Sequence, residues 1–101
     1  MSIHISCYTT YTLTELQERL NIFSAKYPSV FPGQYELSAV CKPHPLQREI
    51  ASEYGVNSCS YFVVSVVNKA LEISTNEMAD MIRTELGKEY VIVLLNGEIP
   101  I

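Results

Sequence analysis

A chain of 101 residues, 48% of them hydrophobic, is long enough for one domain with its own core and too short for two. Seven Lys and Arg against eleven Asp and Glu leave a formal charge of −4, which disfavours direct contact with nucleic acid, because a polyphosphate needs neutralising cations and these form no cluster. No apolar run approaches the roughly 20 residues of a membrane span, the start does not read as a secretory leader, and three cysteines make a poor disulfide framework, so a soluble cytoplasmic protein is expected.

Ser2–Tyr8 alternates, with Ile3, Ile5 and Cys7 on one side and His4, Ser6 and Tyr8 on the other, the pattern of a half-buried strand. A helix start follows. The Thr12 hydroxyl can accept from a free first-turn N–H, Glu15 can reach back to the Thr12 N–H, and Tyr11 and Leu16 flank the cap as an apolar staple. The spacing predicts a helix over Leu13–Tyr27 with Leu13, Leu16, Leu20, Phe23 and Tyr27 on one stripe, stopped by Pro28. After a turn-rich link at Ser29–Gly33, Gln34–Lys42 alternates again. Tyr35, Leu37, Ala39 and Cys41 form its inward set, opposite Glu36, Ser38 and Val40.

Pro43–Asn57 is the least regular region. Leu46–Tyr54 reads as a short helix with Leu46, Ile50 and Tyr54 inward and Gly55 as its left-handed cap. Ser60–Asn68 is β-branched and aromatic on both faces, as a central strand is. A second helix start then matches the first: Ser74 as cap, Glu77 reaching back, Ile73 and Met78 as staple. The helix Thr75–Leu86 should bury Met78, Ile82 and Leu86 with help from Met81, and end at Gly87. Tyr90–Leu95 is another strand apolar on both faces. Asn96-Gly97 signals a hairpin into a short fifth strand over Glu98–Ile101, which Pro100 confines to an edge.

The order β-α-β-(short α)-β-α-β-β predicts an α+β fold: a ferredoxin-like, split β-α-β sheet of four to five strands with the two main helices on one face. That topology puts the fourth strand at an edge, whereas Tyr90–Leu95 reads as central; a fifth strand covering it removes the conflict. The alternative is an open α/β sheet with helices on both faces, reached if Leu46–Tyr54 serves a parallel crossover. The polar set His4, Ser6, Glu36 and Ser38 favours the first.

No catalytic or cofactor motif stands out. Cys41-Lys42-Pro43-His44 has a C-x₂-H spacing, but a structural zinc site draws on two such pairs and no second one matches. Cys59 could be drawn with His44 and a Glu as a thiolate–imidazole pair, yet no helix N-terminus follows it to lower its pKa. There is no G-x-S-x-G elbow and no Gly-rich phosphate loop. Asp80 is the only Asp, so the usual carboxylates of a two-metal phosphoesterase are missing. Neither cofactor nor metal is expected.

What remains is recognition. Seven tyrosines suit an interface, as they suit a core. If both helices cover one face, the other shows His4, Ser6, Tyr8, Glu36, Ser38 and Val40 beside one side each of two apolar strands, a band that could bind or dimerise unless Pro43–Asn57 lies over it. Acidic residues gather at Glu72, Glu77, Asp80 and Glu85 and at Glu49 and Glu53. The expected function is a non-enzymatic interaction domain: by compositional analogy a small acidic inhibitor, of the immunity-protein or antitoxin type, that neutralises a basic protein such as a nuclease toxin. Glu49, Glu53 and Tyr54 are the expected contacts, with Glu77 and Asp80 next. The alternative is a ligand-binding or oligomerisation module, a homodimer among the possibilities, using the open sheet face.

Overall fold

A computed structural model describes residues 3–31, 33–67 and 73–101. It orders them as β1 (His4–Thr9), α1 (Leu13–Lys26), β2 (Tyr35–Leu37), α2 (Pro45–Glu53), β3 (Ser60–Val66), α3 (Thr75–Leu86), β4 (Val91–Leu95) and β5 (Ile99–Pro100). Expectations resting on Ser2, Pro32, Asn68 and the Lys69–Glu72 stretch, including the acidic role of Glu72, fall outside the described residues.

Both helix starts close as their residues allow. Glu15 N donates to Thr12 Oγ1 at 3.2 Å, and Thr12 N donates to Glu15 Oε1 at 3.3 Å. Glu77 N donates to Ser74 Oγ at 3.1 Å, and Ser74 N donates to Glu77 Oε2 at 3.3 Å. These bonds satisfy first-turn donors that the helices themselves leave orphaned.

The strand order is β2-β3-β1-β4-β5, with every neighbouring pair antiparallel. This is the split arrangement: β1 and β2 straddle β3, while β3 and β4 straddle β1. The crossover helices α1 and α3 share one face, where Lys26 Nζ meets Glu85 Oε2 at 2.9 Å. β4 is interior because a hairpin returns β5 along it. Asn96 at φ 53° and Gly97 at φ 74° take the left-handed conformations that such a tight turn requires.

Side-chain parity divides the sheet. On one face Ile5, Cys7, Phe62, Val64, Val91 and Val93 meet Leu16, Leu20 and Phe23 of α1 and Met78, Ala79, Ile82 and Leu86 of α3. Each large side chain so buried contributes about 1.5–3 kcal/mol before entropy is counted. On the other face Tyr8, Tyr61, Ile92 and Leu94 receive Ile50 and Ala51 of α2 and Val56 beyond it. The ferredoxin-like reading therefore holds for the two main helices. The parallel crossover does not occur: α2 joins β2 to an antiparallel β3, yet it still covers the second face.

Two local expectations are corrected. Leu46 and Tyr54 are 73% and 39% exposed, not inward. The stripe turned inward is Gln47, Ile50 and Ala51, with Ala51 fully buried. The strand expected over Gln34–Lys42 also breaks. Leu37 pairs with Val64 while Cys41 bridges Tyr61, so three residues between these pairs (Ser38, Ala39 and Val40) oppose two (Val63 and Phe62). That extra residue inverts the parity. Val40 turns onto the principal core, and Ala39 and Cys41, expected inward, are exposed.

Candidate partner-binding surfaces

The α2 surface is built by local chemistry. Pro45 pre-sets the first helical turn, Gln47 Oε1 accepts from His44 N at 2.8 Å, and Gly55 at φ 83° ends the helix. The helix then presents Glu49 and Glu53 to solvent one turn apart, beside the exposed Leu46 and Tyr54. Among the described residues neither carboxylate has an ion pair. Two like charges at this spacing oppose the helix slightly. Such a pair, next to exposed apolar surface, does not stabilise the isolated helix.

The α3 carboxylates are spent differently. Glu77 is committed to the Ser74 cap, and Asp80 Oδ1 accepts from Arg83 Nη2 at 2.8 Å. The structure also separates the two groups. α2 rides over Tyr8 and Leu94, whereas α3 packs on the opposite face of the sheet. Glu49, Glu53 and Tyr54 thus form one surface, and Glu77 and Asp80 belong to another. The apolar band expected on the second face lies beneath α2, where Tyr8 and Leu94 are 4% and 0% exposed. Burial, then the neighbouring Tyr61, push the Tyr8 phenol above its ordinary range.

The reactive residues do not converge. Cys7 lies fully buried in the principal core, and burial pushes its thiol far up, out of reach of the thiolate form. Cys59 is exposed and lines a hollow of about 260 Å³ with Lys42, Pro43, Arg48 and Ser58. Among the described residues no three His, Cys, Asp or Glu side chains gather as metal ligands would. No described helix is long and apolar enough to cross a membrane.

One feature went unread in the sequence. A groove of about 410 Å³ runs between α1 and the outer edge of β2. The exposed Ala25 and Pro28 and the half-buried Leu37 supply its apolar surface above the buried Leu20 and Phe31, with Gln17, Asn21 and Glu36 among its polar groups. The polar residues Gln17, Asn21 and Ser24 do flank Leu20 on α1, but only the docking of β2 makes a groove beside them.

Comparison with known proteins adds three findings. A family model described as CDI System Immunity Component matches residues 1–99. A chain of the solved "CdiA-CT/CdiI toxin and immunity complex from Burkholderia pseudomallei" is similar, with 21% sequence identity and a TM-score of 0.91, covering 97% of this chain and 95% of that one. At that identity the likeness is one of fold. No curated protein sequence matches the chain.

Proposed function

The chain belongs to the CDI System Immunity Component family, and from that membership we propose that it binds a toxin and neutralises it as a non-enzymatic, stoichiometric inhibitor in the cytoplasm. The observation that carries this reading is the family match across residues 1–99. The likeness in fold to a chain of a toxin and immunity complex agrees with it.

The charge balance supports a basic target, such as a nuclease. A net charge of −4 attracts such a protein over distance, and Glu49 and Glu53, free of ion pairs among the described residues, are available to meet it. Tyr54 beside them offers an apolar ring with a hydrogen-bonding tip. Glu77 and Asp80 add to the far field but come second as contacts, because the fold already uses them. Self-association through the second sheet face has lost its apolar band to α2.

The test is stopped-flow association with a cognate toxin domain. The double variant Glu49→Lys, Glu53→Lys should associate about tenfold more slowly at low salt, with a flatter dependence on salt. Association at the wild-type rate would remove α2 from the interface, and a wild-type chain that neither binds nor protects would remove the inhibitor reading itself.

A further inference from the structure

We propose that the groove between α1 and β2 receives an extended segment of the toxin as an added strand, one that carries an apolar residue next to a Lys or Arg. This rests on the reading of the chain as a toxin-binding inhibitor and names where and how part of the toxin is held.

The sheet has two outer edges, and they are treated differently. β5 is two residues long and ends in Pro100, which has no N–H to offer. β2 carries neither proline nor lysine. Its inward bonds come from alternate residues: Val67 N donates to Gln34 O at 2.9 Å and Ser38 N donates to Val63 O at 2.8 Å. In an antiparallel ladder the residues between these point their backbone groups the other way. The N–H and C=O of Leu37 therefore face outward, toward the groove that Leu37 itself lines. An incoming strand can use both.

The groove then specifies which strand. Successive side chains of a strand fall on opposite faces. One residue of the added segment would meet Ala25, Pro28 and Leu37, an apolar surface that takes an aliphatic or aromatic side chain. Its neighbour would fall on the Glu36 side. Among the described residues Glu36 is the only charged one lining the groove, and it is exposed, so the complementary neighbour is cationic. On the α1 wall Gln17 Nε2 donates to Asn21 Oδ1 at 3.0 Å. That bond leaves the Gln17 oxygen and the Asn21 amide hydrogens to meet the backbone or side chains of the segment.

Three measurements on the full chain and the cognate toxin domain test this. Asn21→Trp fills the groove from an exposed position, and Glu36→Lys inverts its charge; both should bind the toxin at least tenfold more weakly while their circular dichroism matches wild type. In the wild-type complex the Leu37 amide should exchange with solvent at least tenfold more slowly than in the free chain, with the Ile99 amide unchanged. Wild-type binding that survives both substitutions, or an unprotected Leu37 amide, overturns the strand-addition proposal and leaves the inhibitor reading intact. Failure of the wild-type chain to bind the toxin overturns both. Sedimentation showing a dimer that Asn21→Trp dissociates would give the groove to a second copy of this chain and likewise overturn the proposal.

Discussion

α2 and α3 are both short amphipathic helices lying across one sheet, yet they spend their residues in opposite ways. α3 has a closed capping box, an Asp80–Arg83 pair and four buried side chains, Met78, Ala79, Ile82 and Leu86. α2 buries only Ala51 fully, leaves Glu49 and Glu53 without ion pairs among the described residues, and turns Leu46 and Tyr54 outward. Glu77, Asp80, Arg83 and Glu85 of α3 are engaged within the fold. Among the described residues Glu49 and Glu53 of α2 are not, and residues that do not serve the fold are where recognition is best sought.

That contrast can be broken by measurement. The largest effect is expected from Ile82→Ala. Ile82 is fully buried between α3 and the sheet, so the substitution should cost about 2–5 kcal/mol in urea unfolding. A loss below about 1 kcal/mol would mean that α3 is not the structural helix described. Ser74→Ala removes the hydroxyl that accepts from Glu77 N and should cost about 1 kcal/mol, with toxin association unchanged. An association rate that fell with it would place the α3 start in the interface. The smallest stability effect has the opposite sign. Glu49→Gln relieves a like-charge pair one turn apart and should stabilise the free protein by about 0.2–0.5 kcal/mol while slowing association. A variant both less stable and unaltered in association would show that Glu49 serves the fold after all, and the contrast would collapse.

Much of the architecture was legible because its signals are local. Thr12 with Glu15 and Ser74 with Glu77 lie three residues apart and close the same way in any fold. The stripe of Leu16, Leu20 and Phe23 needs only the helical period, and Asn96-Gly97 needs only two positive φ angles. The conflict over Tyr90–Leu95 could be resolved on paper because the turn residues after it announced another strand. The inward set of Gln34–Lys42 could not be read to its end. A single extra residue opposite Val64–Tyr61 reverses the parity, and nothing in the alternation of that segment marks where it falls. The inward stripe of α2 was misplaced for a similar reason: a nine-residue helix allows two neighbouring stripes, and its neighbours across space choose between them.

The candidate surfaces divide along the same line. Glu49, Glu53, Glu77 and Asp80 are recognisable as exposed carboxylates from helical spacing alone. That the first two stand on one face of the sheet and the last two on the other depends on which way the Pro43–Asn57 connection folds. The groove beside β2 depends on contacts between residues far apart in the chain. From residues within one helical turn of each other, the chain by itself determined its helix starts, its hairpin and the βα rhythm that leads to a split sheet. Strand register, the side that α2 covers and the open backbone of Leu37 were decided only in the assembled structure, because each is set by which distant segments meet, and hydrophobic burial rewards many such meetings until packing selects one.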